Sequence, residues 1–323
     1  MRFYVSKCHN KLNGSIYDPE NYSDYLCINP YYSVEIDPTL PVRFMIDSGA
    51  FQDVGKSDRL SFDDALVRQL NFENKVTGGK KKAECIVSYD RLVDEQLGES
   101  GQIKERVSGV LAEEYVKETI DAARFLSEKR EDLNPRQLVL SCQGTNVDQY
   151  LKCIKSVLKV ATSDDMIGFG GFCIMSKSLD YEKQFYEIIN KAFPLIHKKG
   201  ITRVHIFGVG IFRALIQADV YARMNGLECS YDTSSPEMNA TFGKVFNPMS
   251  PGLNAVYSKI HKKNGYHPAE LALFNVKAIN NFWESHRTLP LPEKFVPGIV
   301  PSRKATKPLD YEILQIKDGE ENF

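Results

Sequence analysis

Asp47, Asp90, Gln143, Gly170-Gly171, Gly208-Val209-Gly210 and Asp232 each stand at the end of a short apolar run: VRFMID, ECIVSYD, QLVLSCQ, DMIGFGGF, RVHIFGVG and GLECSYD. Taken singly, each has a plain reading. An aspartate after a strand is a common N-cap of the next helix, and a glycine pair is a common turn. The FGVG segment is at most an incomplete phosphate-type glycine loop. Taken together they are a pocket. A carboxylate accepts from a purine N1–H and 2-amino group, while an amide side chain and a backbone N–H donate to O6. Phe51 and Phe207 can sandwich such a ring by stacking. Two carboxylates then remain for a sugar C1′, one as nucleophile and one as acid/base, which is the logic of a retaining glycosidase.

These residues share one rim only if the elements carrying them alternate. From residue 42 onward they do. Between the apolar runs lie amphipathic patterns with apolar residues at three- and four-residue spacing, as in SFDDALVRQLNFENK, VDQYLKCIKSVLKVA and IFRALIQADVYARMN. With RFYVS and DYLCIN near the N-terminus the strand count is eight. Strands alternating with helices predict a parallel sheet, and eight of them predict a closed (β/α)8 TIM-type barrel, with an open doubly wound sheet as the rival α/β architecture. A barrel places its catalytic groups at the C-terminal ends of the strands, where this set falls. The expected catalytic barrel covers 1–245. Residues 246–323 read as a helical appendage, with helical patterns in LNAVYSKIHKK and HPAELALFNVKAINNFWESHR, and a Pro- and Lys-rich tail.

Composition narrows the class. The chain has 323 residues, 42% hydrophobic, enough for a large core. Its N-terminus lacks an apolar signal segment and no run approaches about 18 apolar residues, so a soluble cytoplasmic protein with no membrane partner is expected. The seven cysteines are dispersed with no C-x-x-C pair, which suits reduced core cysteine and argues against a zinc cluster. No metal and no cofactor are expected. A net charge of −1 gives no bulk support for a nucleic-acid partner, though it allows a local basic face.

Five segments in order resemble the tRNA-guanine transglycosylases. The family's D-S-G-G-[FY]-Q reads Asp47-Ser48-Gly49-Ala50-Phe51-Gln52, and its F-D-x-x-x-P-x-x-N-A-x-x-G reads Tyr231-Asp232 through Pro236, Asn239-Ala240 and Gly243. Ser141-Cys142-Gln143-Gly144, Phe169-Gly170-Gly171-Phe172 and Phe207-Gly208-Val209-Gly210 match three more. The resemblance runs from about 42 to 243. It implies exchange of guanine in a polynucleotide for a 7-deazaguanine, with Asp232 as nucleophile on C1′ and Asp47 as general acid/base. It implies base reading by Asp90, Gln143 and the Gly170-Gly171-Phe172 segment, stacking by Phe51 and Phe207 beside Gly208, and a ribose contact from Gln52.

The departures point to a polymer. No cysteine follows Cys229, so the family's structural zinc site has no ligands here, and Met238 and Thr241 stand where tRNA-acting members carry arginines. The chain thus looks more like the DNA-modifying branch found in phages and bacteria. DNA is the expected partner, with tRNA as the alternative and a non-catalytic partner subunit as a third reading. After Phe172 the chain reads Cys173-Ile174-Met175-Ser176, with no acidic residue for an aminomethyl group, which favours preQ0, the 7-cyano base, alongside free guanine. Helper proteins and an oligomeric state are left open. The cations expected near the nucleic acid are Lys56, Arg59, Arg91, Lys177 and Lys244, with Lys262, Lys263, Arg303 and Lys304 on the appendage. Lys80-Lys81-Lys82 and His197-Lys198-Lys199 precede strands and belong to the opposite face.

Overall fold

The computed structural model describes residues 1–54, 56, 58–94, 96–97, 103–173, 179–247, 253–257, 267–288 and 291. The eight expected strands form: β1 (Arg2–Lys7), β2 (Tyr25–Ile28), β3 (Arg43–Ile46), β4 (Cys85–Val87), β5 (Gln137–Cys142), β6 (Met166–Phe169), β7 (Arg203–Ile206) and β8 (Glu228–Thr233). All pair in parallel with their sequence neighbours, and β8 closes on β1 with Tyr4 opposite Asp232, giving a closed barrel. The open-sheet rival is thereby excluded.

Successive side chains on a strand point to opposite faces, so each strand here feeds two cores. Outward residues such as Phe44, Ile46, Leu138, Leu140, Val204 and Tyr231 pack beneath the helices. Inward residues Tyr4, Cys27, Met45, Cys85, Val87, Val139 and Met166 fill the barrel, with Phe207 against them. Burial on both faces is why the runs read as continuous apolar stretches rather than alternating ones.

The helices follow the predicted periodicity: α1 (Phe62–Thr77), α2 (Gly109–Glu128), α3 (Val147–Val160), α4 (Leu179–Lys198) and α5 (Phe212–Met224). Ser61 caps α1 by accepting from the Asp64 N–H, and Asn146 caps α3 by accepting from the Gln149 N–H. Among the described residues no α-helix follows β1 or β2. A hairpin (Lys11–Leu12 with Ser15–Ile16) and the loop 29–42 stand there instead.

The β8–β1 seam is covered from the C-terminal side. After β8 come the short α6 (Ser235–Thr241) and α7 (Pro268–Arg287). Trp283 of α7 donates to the Tyr231 hydroxyl at 2.8 Å, and Arg287 donates to the Met1 carbonyl at 3.2 Å. The second helical pattern of the C-terminal region is therefore α7, seated directly on the barrel. The first is corrected in part: Ala255–Tyr257 is a strand, antiparallel to Lys244–Phe246, because a partner segment is within reach that periodicity cannot register. No described helix is long and apolar enough to cross a membrane.

Candidate active site

Continuing the inward parity to the ends of the strands leads from Met45 to Asp47, from Val139 to Gln143, from Met166 to Gly170, and from Tyr4 to Ser6. On β7 and β8 it leads from His205 to Phe207 and from Ser230 to Asp232. These ends surround a cavity of about 320 Å³. Its wall includes Asp47, Asp90, Gln143, Gly170, Gly171 and Asp232, with Phe51, Gln52, Phe207 and Gly208 around them. The structure thus brings together ten of the residues picked out in the sequence.

Asp47 opens onto this cavity but is enclosed by protein. Enclosure, then the nearby carboxylates of Asp232 and Asp90, push its carboxyl up to about 7. The Asn29 side-chain amide donates to Oδ2 at 2.6 Å and the Ser48 N–H to Oδ1 at 2.8 Å, and these bonds only partly counter the rise. Asn29 also donates to Gln52 Oε1 at 2.7 Å, tying the expected ribose-contacting side chain to the expected acid.

Asp90 and Gln143 form one unit. Burial raises Asp90 to about 6 against the hydrogen bond from Gln143 and the charge of Arg59. Gln143 is fully buried; its amide N–H donates to Asp90 Oδ2 and its Oε1 accepts from the Val93 N–H at 3.0 Å. The amide oxygen is thus spent on the Val93 N–H and the amide nitrogen is held on Asp90. Gly170 and Gly171 lie against it. Gly171 has φ +75°, and a Cβ there would meet Val93 Cγ2 at 2.9 Å, so both the backbone and the space require glycine. The Gly171 carbonyl accepts from Arg106, a buried cation paired with buried Asp94 at 3.1 Å.

Asp232 sits within β8. Its Oδ1 faces the Gly208 N–H at 3.1 Å and His205 Nε2 at 3.3 Å, and its Oδ2 accepts from the Ser6 hydroxyl at 2.9 Å. Gly208, at φ +65°, can turn its N–H this way because it lacks a Cβ, which would lie 2.8 Å from Cys173 Sγ.

The aromatic residues divide. Phe51 lines the cavity and is 48% exposed, while Phe207 lies on Gly168 and against His205. Phe172 does not line the cavity. Its ring is buried between Tyr150 and Phe185, at 5.4 and 4.9 Å, because the chain leaves β6 after Phe169 and turns at Gly171, at φ +75°, so the inward parity of the strand no longer holds.

Of the expected cations that lie among the described residues, most have protein partners. Arg59 donates to the Asp90 carbonyl at 2.7 Å and pairs with Glu118, and Arg91 stacks over Tyr115 at 4.2 Å. These two brace the pocket wall. Lys56 is half-exposed and pairs with Asp53 at 2.8 Å. Lys244 is half-buried on its strand. Lys177 lies outside the described residues, as do Ile174-Met175-Ser176, Lys262, Lys263, Arg303 and Lys304.

Asp53 ends the 3-10 turn Ala50–Asp53 that carries Phe51 and Gln52. Burial opposes its ionisation, yet bonds from Lys56, Tyr31 and Tyr89 and the charge of Arg68 pull it down to about 2. This anchor was not anticipated from the sequence. Neither were Asn29, Ser6 and His205 as partners of the two aspartates. The signal for Ser6 and His205 was present in their inward parity, since a polar residue on the inner face of an otherwise apolar strand needs a partner. Among the described residues no group of three or more His, Cys, Asp or Glu side chains is placed to hold a metal ion. Compared with protein-family models and with curated proteins, the chain matches none.

Proposed function

We propose that this chain is a transglycosylase that exchanges guanine in DNA for a 7-deazaguanine base, preQ0 by preference, through a covalent bond between Asp232 and the sugar. The observation that carries the reading is the contrast between two aspartates on one small cavity. Asp47 is poised near 7, where it can carry and deliver a proton at neutral pH, while two donors, the Ser6 hydroxyl and the Gly208 N–H, converge on Asp232 with His205 Nε2 beside them, as suits an anionic nucleophile. A lone pair of Asp232 forms the bond to C1′ as the C1′–N9 bond breaks. Its electrons leave with the base, which takes the proton held by Asp47. The incoming base reverses the sequence. Asp90, with Gln143 behind it, suits the N1–H and 2-amino edge of a guanine-like base.

A cavity of about 320 Å³ is at the small end of ligand pockets, which span roughly 300–1,000 Å³. It suits one base with its sugar, so a polymer would have to present an everted or unpaired nucleotide.

The test is incorporation of labelled guanine into single-stranded DNA, duplex DNA and tRNA, each supplied alone. Incorporation into DNA and not tRNA is expected, and Asp232→Asn should lower it by roughly 10³-fold or more. Unchanged exchange by Asp232→Asn would remove the covalent mechanism, and exchange confined to tRNA would replace the polymer.

A further inference from the structure

His205 is wholly buried on β7, and its ring is held between Phe207, 4.5 Å away, and the edge of Tyr4, 5.4 Å away. Its two nitrogens face polar atoms at both ends. Nδ1 lies 2.9 Å from Ser230 Oγ, and Nε2 lies 3.3 Å from Asp232 Oδ1. Ser230 Oγ is also 3.0 Å from the Val204 carbonyl.

We infer that His205 is a positioning residue for Asp232, presenting Nε2–H to Oδ1 so that Oδ2 is the oxygen that attacks. The inference rests on the reading of Asp232 as a carboxylate nucleophile. A bare Nε2 facing an ionised carboxylate would set two lone pairs against each other, so Nε2 must carry the proton. Ser230 permits this in two ways. Its hydroxyl either donates to Nδ1 of a neutral ring or donates to Val204 and accepts from Nδ1 of a charged one. Both leave Nε2–H on Asp232.

The count of donors then separates the two oxygens. Oδ1 takes the Gly208 N–H and His205 Nε2–H, which occupies both of its lone pairs. Among the described residues Oδ2 takes only the Ser6 hydroxyl and keeps one lone pair. That pair forms the bond to C1′ while the C1′–N9 electrons leave with the base and Asp47 supplies its proton. His205 stays bonded to Oδ1 throughout and touches neither sugar nor base. Its work is to stop the carboxylate from rotating.

Two variants and one spectrum test this. In His205→Phe, kcat for guanine exchange should fall roughly ten- to hundredfold with KM within about twofold, because the lost bond is to a charged group and lies outside base recognition. His205→Gln should recover most of kcat, since its amide N–H reaches a similar point. The ¹⁵N-imidazole spectrum of the unsubstituted protein, with the His205 signal identified by its loss in His205→Phe, should show a proton on Nε2. An unprotonated Nε2, a loss confined to KM, or a folded His205→Gln as slow as His205→Phe would overturn the proposal. If the unsubstituted protein exchanges no base in any polynucleotide, the function proposed above falls, and the imidazole spectrum still decides where the proton lies.

Discussion

Asp47 and Asp53 lie on one loop, six positions apart, and their environments drive them in opposite directions. Asp47 is pushed up to about 7 and Asp53 pulled down to about 2 from the same ordinary value of 3.8. Burial acts in the same sense on both. What differs is the company. Asp47 has two donors and faces two further carboxylates, whereas Asp53 has Lys56, Arg68 and the hydroxyls of Tyr31 and Tyr89. Desolvation by itself does not decide what a buried carboxyl becomes; the balance of donors and like charges does. One carboxyl is held near neutrality, as the proposed proton carrier requires, and the other is a fixed anchor for the loop that presents Phe51 and Gln52.

The largest test of that contrast is Asp47→Asn. It keeps the shape and removes the exchangeable proton, so base exchange should fall by roughly 10²–10⁴-fold, measured as initial rates of labelled guanine incorporation. A smaller loss would mean that another group carries the proton. Asp53→Asn should act first on stability. It removes the charge that Lys56 and Arg68 pair with and puts an amide N–H donor where one of the two accepting oxygens met its donors, at a cost of roughly 3 kcal/mol, the low end for a broken buried pair because Lys56 is half-exposed. Chemical denaturation measures this, and an unchanged midpoint would show that the network does not hold the loop.

The pH dependence sharpens the comparison. A raised carboxyl binds its proton more tightly in the folded chain, so Asp47 favours folding least above about pH 7, where the folded form must carry the charge. Asp47→Asn should therefore be more stable than the parent above about pH 7, with the gain fading as pH falls toward 3.8. Asp53 has the opposite sign. Its contribution is full above 3.8 and is lost as pH falls to about 2, so the cost of Asp53→Asn should shrink over that interval. Denaturation midpoints across pH check both slopes, and parallel curves for the two variants would abolish the distinction.

Two smaller effects concern the aromatic residues. Phe51→Ala should weaken polynucleotide binding by roughly 1–3 kcal/mol if the exposed ring stacks on a base, read as a rise in KM. Phe172→Leu should cost about 1 kcal/mol of stability and leave KM unchanged, since that ring packs only in the core. A shifted KM would return Phe172 to the pocket.

The strands and the first five helices were legible because their cause is local. Short continuous apolar runs and apolar spacing of three and four state which element forms, and eight strands, most of them alternating with helices, leave few ways to close. The ends of those strands named Asp47, Asp90, Gln143 and Asp232 in the same way. Ala255–Tyr257 was misread because its partner at 244–246 supplies the ladder. Phe172 was misplaced because a motif names a segment and not the face its side chain takes.

The amino-acid sequence by itself determined the barrel and the rim on which its polar residues gather, since both follow from periodicity along the chain. Only the tertiary structure decided how each carboxyl is held. Ser6 reaches Asp232 across 226 positions, His205 across 27, and Asn29 reaches Asp47 from the neighbouring strand. Desolvation and hydrogen bonding depend on such distant neighbours, and these meet only when the barrel closes.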